Sequence, residues 1–440
     1  MLRHWFVAAL LGTLGSGVLA STENPDLGID QAMRQAQQQQ VPVIVDFYAP
    51  WCYSCYYMAQ HVLVGPDWDA ARGEAIVVGV DVDSAEGAAL KERWGIKPLP
   101  SYLVLNPDAE ELGRIGGERT PEQFYAEIAA IRSQGAPLEK LQARAAQGDV
   151  AAAVEALVLY HARYEAAAGL EWFDSLDRSE RASLEADSLV QARLDRLRLM
   201  QAAADEDIAA CLATGEKVLA ADPGCERPYE VSRYADCMAQ LEPTERKTRL
   251  LAQIPAMQSL VDDKALVRPP QCADQRSAVT VTAELYEATG QADKAQALLG
   301  RAATDARERL DGDLKSDRNL ADNLRVFLDA ANDTAALDVL YPQLIAAYPQ
   351  DYVYANRFAR SLASRGLHEK ALPYFKSAGE RAYGINRLRN ASAYADSLHA
   401  LGRDKDAMKV LAAAIKANGP FFPDDVAELK QQMVGLRSKS

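Results

Sequence analysis

The fold turns on residues 43–57, Val-Ile-Val-Asp-Phe-Tyr-Ala-Pro-Trp-Cys-Tyr-Ser-Cys-Tyr-Tyr. An apolar, β-branched run with a single acid, Asp46, in its middle reads as a buried strand. It ends at Pro50 and Trp51, and a Cys-x-x-Cys, Cys52 and Cys55, follows at once. Residues 58–63 have helix-compatible composition. The expected local structure is a strand, a sharp turn, and a helix whose first turn carries both cysteines. That position has chemical weight. First-turn N–H groups lack intrahelical partners and the positive end of the macrodipole lies there, so negative charge on Cys52 is favoured. A free thiol ionises near pH ~8.5, and a Cys-x-x-Cys thiol can fall to about 7 or far below. The thiolate is the form that attacks disulfides. The two-residue spacing lets Cys55 close onto Cys52 and release a trapped partner.

Residues 45–55 resemble the active-site segment of the thioredoxin superfamily. In particular they resemble exported thioredoxin-like domains related to the C-terminal domain of the transmembrane thiol-reductant transporter. The resemblance implies that Cys52 is the nucleophile and Cys55 the resolving thiol. It makes Asp46 the buried acid that exchanges a proton with Cys55, and Trp51 the aromatic residue preceding the nucleophile. Further on, residues 95–101 read Gly-Ile-Lys-Pro-Leu-Pro-Ser. Pro100 resembles the family's cis-proline, and Leu99 the residue whose backbone pairs with a substrate chain. A cis X-Pro bond costs only about 0.5–1 kcal/mol, against about 2.5–4 for other residues, which accounts for a proline there. Pro98 stands where a glycine is common. Residues after the second cysteine are often basic in the family. Here they are Tyr56 and Tyr57, read as helix packing at least as readily as contact surface, while Tyr53 is a candidate contact for a partner. With no Lys or Arg nearby in sequence, the thiolate would depend mainly on the helix end. The implied chemistry needs no cofactor beyond the redox-active disulfide.

Around this centre the remaining pieces fall in order. Residues 26–40 read as a polar helix, 75–82 as a strand, 102–105 and 112–115 as further strands. Asp83 with Glu86 forms a capping-box pattern before a helix reaching Trp94. Thr120, Pro121 and Gln123 mark another helix start, with Phe124, Ile128 and Ile131 on one face. Residues 21–135 thus make an α/β thioredoxin-like domain, a central sheet flanked by helices, and 134–137 mark its boundary.

Beyond it the composition is all-helical. Ala283, Tyr286, Gly290, Ala295, Leu299 and Ala302 share offsets of 3, 7, 12, 16 and 19 with two later sets that begin at Ala359 and Ala395. Small residues recur where two helices of a hairpin approach, and glycine recurs at the turn. Residues 276–440 therefore resemble tetratricopeptide repeats, with room for one degenerate copy around 319–350. Residues 136–275 show no clean repeat and stay open between degenerate repeats and an irregular bundle.

Residues 1–20 read as a secretory signal: Arg3 and His4, then an apolar core broken by glycines and too short for a membrane span of about 20 residues. No later segment is long and apolar enough to span. A periplasmic or secreted location follows. The net charge of −14 argues against nucleic acid and anionic membrane surfaces. In an oxidising compartment Cys211, Cys225, Cys237 and Cys272 read as two structural disulfides. Four cysteines allow three pairings, and neighbour pairing, Cys211 with Cys225 and Cys237 with Cys272, is the sequence-based choice. No second Cys-x-x-Cys or spaced histidine pair suggests a metal site. His61 lies about half a turn out of phase with Cys52 and reads as an ordinary surface or packing residue.

The resulting expectation is an exported thiol–disulfide oxidoreductase with a helical-repeat scaffold for a client or partner. Its partners would be a client protein with thiols or a disulfide, and an upstream thiol-redox protein. The redox direction stays open. The alternative is a protein-binding scaffold in which Cys52–Cys55 is a static disulfide.

Overall fold

The computed structural model describes residues 27–418 and 421–437. The signal-peptide expectation for residues 1–20 lies outside them. Four strands form one sheet: β1 (Val43–Tyr48), β2 (Ile76–Asp81), β3 (Ser101–Leu105) and β4 (Glu111–Gly116). Their order is β2-β1-β3-β4, with β1 parallel to β2 and antiparallel to β3, and β4 antiparallel to β3. The central pair reads as an almost unbroken apolar run because both sheet faces are covered. Residues 43–47 and 101–105 are buried without exception. Five helices flank the sheet: α1 (Ile29–Gln39), α2 (Tyr53–Tyr57), α3 (Gly65–Gly73), α4 (Ala85–Arg93) and α5 (Pro121–Gln134). Val45, Phe47, Val80 and Leu103 pack with α1 on one face; Ile44, Tyr102, Phe124 and Ile128 pack with Tyr57 and Met58 on the other.

The capping signals test the local reading. Thr120 and Gln123 form the expected reciprocal capping box at the start of α5. Before α4, however, the cap is Ser84, whose Oγ accepts from Gly87 N at 2.9 Å. Asp83 is instead drawn into the turn beside Trp51, as described below. Helix α3, opened by Gly65 and Pro66, carries no strong period in the sequence to announce it.

From Leu138 to Arg437 every regular element among the described residues is helical. The α/β unit followed by an all-helical region agrees with the fold class read from sequence. One apolar core runs through residues 138–200, a second from 219 to 375, and a third from 372 to 436. The three repeated glycines, Gly290, Gly366 and Gly402, all sit at turns with positive φ (80°, 73° and 72°), where a side chain would be strained. Between the first two copies the structure places a fourth in the same phase. Asn332 (φ 55°) occupies the glycine position, and Leu337, Tyr341 and Leu344 occupy the following apolar ones. It lies in the stretch 319–350 where the sequence leaves room for a degenerate copy, with Arg325, Asn332, Leu337 and Leu344 where the other copies have Ala, Gly, Ala and Ala.

The structure pairs Cys211 with Cys237 and Cys225 with Cys272, with Cα–Cα separations of 6.2 and 5.3 Å. Neighbour pairing is therefore corrected. Cys211 and Cys237 lie on facing helices, Ile208–Ala220 and Arg227–Cys237. Cys225 sits in the turn between those helices and meets the loop after residue 265. Helix packing, not distance along the chain, decides the partners.

Candidate active site

At the end of β1 the chain turns through Ala49, Pro50 and Trp51, and Cys52 becomes the N-cap of α2. Cys52 and Cys55 form a disulfide with Cα atoms 5.2 Å apart. The Cys55 backbone N–H donates to Cys52 Sγ at 3.1 Å. An otherwise orphaned helix-start N–H is thus aimed at the sulfur of Cys52, the arrangement expected from sequence. Such a donor stabilises negative charge on sulfur more than it stabilises a neutral thiol. Both cysteines belong to the apolar cluster that Leu99 packs against, and the Leu99–Pro100 peptide is cis.

Asp46 lies in the middle of β1, paired with Gly79 on one side and Tyr102 on the other. It is buried, its Oδ1 has no hydrogen-bond partner, and burial pushes its carboxyl up to about 7. Trp51 Nε1 donates to Asp83 Oδ2 at 2.7 Å. Burial, then the neighbouring Asp81, pushes the Asp83 carboxyl up to about 6.

The site is completed by the helical array, for which the sequence suggests a role in holding a client. The array's own helices close over the Cys-x-x-Cys face. The Arg276 guanidinium lies 3.1 Å from the centroid of the Tyr53 ring, and Asn319 Nδ2 donates to the Tyr53 carbonyl at 2.9 Å. Arg318 stacks at 4.0 Å on Tyr56 and its backbone N–H donates to Gln60 Oε1 at 2.8 Å. Arg357 Nη2 donates to the Trp51 carbonyl at 2.9 Å. Tyr383 Oη donates to Asp81, and Gly384 (φ 51°) comes so close to the Asp83 carbonyl that a Cβ there would collide with it. Cys52 and Cys55 are each only 4% exposed, whereas Trp51 keeps 36%. Tyr53 and Tyr56 are thus seats for the array's arginines, and the cations missing after Cys55 in sequence are supplied from more than 200 residues away. Cation–π contacts of this kind contribute about 0.5–2 kcal/mol each.

One carboxylate organises two of these cations together with a third arginine. Asp322, fully buried, accepts from Arg276 (2.5 Å), Arg325 (2.8 Å) and Arg357 (2.6 Å). Burial alone would raise its carboxyl, but the three guanidinium groups hold it well below the carboxylate range.

Sequence reading missed Glu118. It is buried beside α2, shares the Asn319 amide at 3.3 Å, and hydrogen-bonds Ser54, which lies between the two cysteines. Burial, then the charge of Asp274, pushes its carboxyl well above the ordinary range. The only local signal was an acid after two glycines at the end of β4. His61 is an interface residue: Nε2 lies 3.0 Å from Asp317 Oδ2 and its ring stacks on Tyr57 at 4.9 Å. Among the described residues, no group of three or more His, Cys, Asp or Glu could hold a metal ion, and no helix is long and apolar enough to cross a membrane.

Residues 29–132 match the family model of a thioredoxin-like domain. The thiol:disulfide interchange protein DsbD 2 of Pseudomonas aeruginosa is 32% identical over 111 residues, which is 24% of this chain and 19% of that protein. The DsbD of Klebsiella pneumoniae is 33% identical over 104 residues, 23% of this chain and 17% of its own. A thioredoxin from Thermus thermophilus, known from its solution structure, is 30% identical, with 24% of this chain and 85% of that one covered at a TM-score of 0.23. The chain spans less than a fifth of the length of these curated relatives. It carries a thioredoxin-like domain with a Cys-x-x-Cys disulfide, joined to an all-helical region that lies beyond residues 29–132.

Proposed function

We propose that the protein is an exported thiol–disulfide oxidoreductase acting on client proteins. The observation that carries this reading is the Cys52–Cys55 disulfide at the head of α2, with the Cys55 N–H aimed at Cys52 Sγ. In the reducing direction the Cys52 thiolate attacks one sulfur of a client disulfide. A Cys52–client disulfide forms and the other client sulfur leaves as a thiolate, which takes up a proton. Cys55, deprotonated with the help of Asp46, attacks Cys52 Sγ and expels the second client thiolate. The client gains two electrons and the protein returns to its disulfide form. Run backwards, the same steps oxidise a dithiol. Another thiol-redox protein restores the starting state, and the relatives named thiol:disulfide interchange proteins support a partner of that class. Leu99 and Trp51 flank the cysteines and would contact the client chain. The tetratricopeptide-like array positions the redox face; its arginines place positive charge beside the segment that must carry a thiolate.

A second reading, a binding scaffold with a static disulfide, is favoured by one observation, the 4% exposure of both cysteines. Equilibration of the full chain with thiol buffers separates the two. A reduction potential near about −270 mV indicates a reductase, and one around −120 to −180 mV an oxidase or isomerase. A pair that stays oxidised in every accessible buffer supports the static scaffold and refutes catalysis.

A further inference from the structure

A pocket of about 210 Å³ opens beside Trp51, between the redox loop and the helices Val353–Ser364 and Gly384–Ala400. Trp51 and Tyr352 give it aromatic walls, and Val353, Asn356, Arg357, Arg360, Asn386 and Arg389 line the rest. Its charge is out of keeping with a chain of net charge −14. Arg357 shares its carboxylate, Asp322, with two other arginines. Arg360 forms no ion pair among the described residues; it donates only to Asn356 Oδ1 (3.2 Å) and the Arg389 carbonyl (3.1 Å). Burial, then the facing Arg389, pushes its guanidinium below the ordinary value. Arg389 reaches a carboxylate, Asp425, only at 3.8 Å. Asp396 and Asp83 are the other acids that these arginines feel. Counted with Arg276 and Arg325, which share Asp322, five arginines meet four carboxylates, an excess of one positive charge.

We propose that this pocket is a subsite for a carboxylate carried close to the reacting sulfur of the substrate. The inference rests on the oxidoreductase reading and names its substrate class: anionic thiols and disulfides. Guanidinium forks bind carboxylates through paired, charge-assisted hydrogen bonds. The volume, about seven waters at ~30 Å³ each, suits one acidic side chain or a short acid-bearing thiol. Trp51 joins the pocket to Cys52 directly, so an anion seated there sets the sulfur of its own molecule beside the disulfide. For a free thiol, its thiolate attacks Cys52 Sγ: a mixed disulfide with Cys52 forms, the Cys52–Cys55 bond breaks, and Cys55 leaves as a thiolate that takes up a proton. A second thiolate then attacks the ligand sulfur of the mixed disulfide and expels Cys52 as a thiolate, which is protonated in turn. The outcome is a dithiol protein and one oxidised disulfide of the ligand.

The test uses the full chain and two readouts. In the first, the oxidised protein is titrated with glutarate while tryptophan fluorescence is followed, with a Trp51→Phe variant to isolate the contribution of Trp51, which requires no turnover. In the second, the rate of Cys52–Cys55 reduction is measured with 3-mercaptopropionate, with neutral 2-mercaptoethanol, and with a cysteine peptide bearing a flanking glutamate, each corrected to its thiolate fraction. Arg360→Gln is compared with Arg360→Lys and with a charge control, Lys140→Gln. We expect glutarate to bind the wild type and Arg360→Lys. Arg360→Gln should lose that binding and slow the anionic thiols about tenfold, leaving 2-mercaptoethanol unchanged. A loss confined to the peptide assigns the subsite to a residue of a protein client; a loss for both anionic reagents assigns it to free acidic thiols as well. Equal rates and equal glutarate titrations in wild type and Arg360→Gln overturn the subsite. A disulfide that no thiol reduces overturns the oxidoreductase reading, and the substrate class with it.

Discussion

Replacing Asp46 by asparagine should stabilise the protein in alkali and leave it nearly unchanged in acid. In the unfolded chain Asp46 ionises near its ordinary value of 3.8; in the folded chain burial holds the proton until about pH 7. The native state therefore binds more protons than the unfolded state between those values. The stability linked to this carboxyl is fully present below pH ~4 and is lost as pH rises through about 7. About three units at roughly 1.4 kcal/mol each amounts to about 4 kcal/mol at and above pH 8. The asparagine variant has no such term. Asp46→Asn should therefore exceed the wild type by about 4 kcal/mol at pH 9, about 3 at pH 6, and less than about 1 at pH 4. Urea titrations of the oxidised full chain at these pH values, followed by tryptophan fluorescence, supply the measurement, since Trp51, Trp68 and Trp94 report on the sheet domain. A gain of the same size at pH 4 and pH 9 would refute the argument. It would mean that packing, and not the proton, distinguishes the two side chains.

The array's grip on the site gives a second expectation. Gly384→Leu forces a side chain against the Asp83 carbonyl, so this edge should lift and alkylation of the reduced cysteines should quicken; an unchanged rate would mean that the contact does not cover them. Glu118→Gln should be more stable than the wild type at pH 7 and nearly equal to it at pH 4, because burial raises the carboxyl in the folded chain while the unfolded chain keeps the ordinary value. Glu118→Lys should be destabilised by several kcal/mol, as an uncompensated buried charge, and thermal melts of both variants decide the matter. Removing the Cys225–Cys272 link, which spans 47 residues, should lower stability by about 4 kcal/mol on chain-entropy grounds. A loss below about 1 kcal/mol in urea titrations of the double serine variant would show that the link constrains little of the unfolded chain.

Local chemistry was legible and assembled chemistry was not. The strand Val43–Tyr48, the helix opened by Thr120 and the Cys-x-x-Cys announce themselves because their signals lie within a few residues. The cap before α4 moves from Asp83 to Ser84 because Trp51, 32 residues away, competes for the Asp83 carboxylate. The copy at 319–350 shows only faintly because Arg325, which serves Asp322, Asn332, Leu337 and Leu344 stand where the other copies have small residues. The disulfide partners depend on which helix faces meet, which spacing does not encode. The cations around the motif were the largest omission. Arg276, Arg318 and Arg357 are ordinary surface-type residues in sequence, and only the closure of the array over α2 brings them to Tyr53, Tyr56 and Trp51.

That closure has a practical corollary for anyone who would cut the chain at residue 135. The excised sheet domain would bare Tyr53 and Tyr56 together, two rings whose arginine partners, Arg276 and Arg318, lie in the discarded part. Soluble monomers seldom tolerate contiguous apolar patches of more than a few hundred Å². Such a fragment should self-associate, and its chemistry would belong to a different surface from the one the whole chain presents.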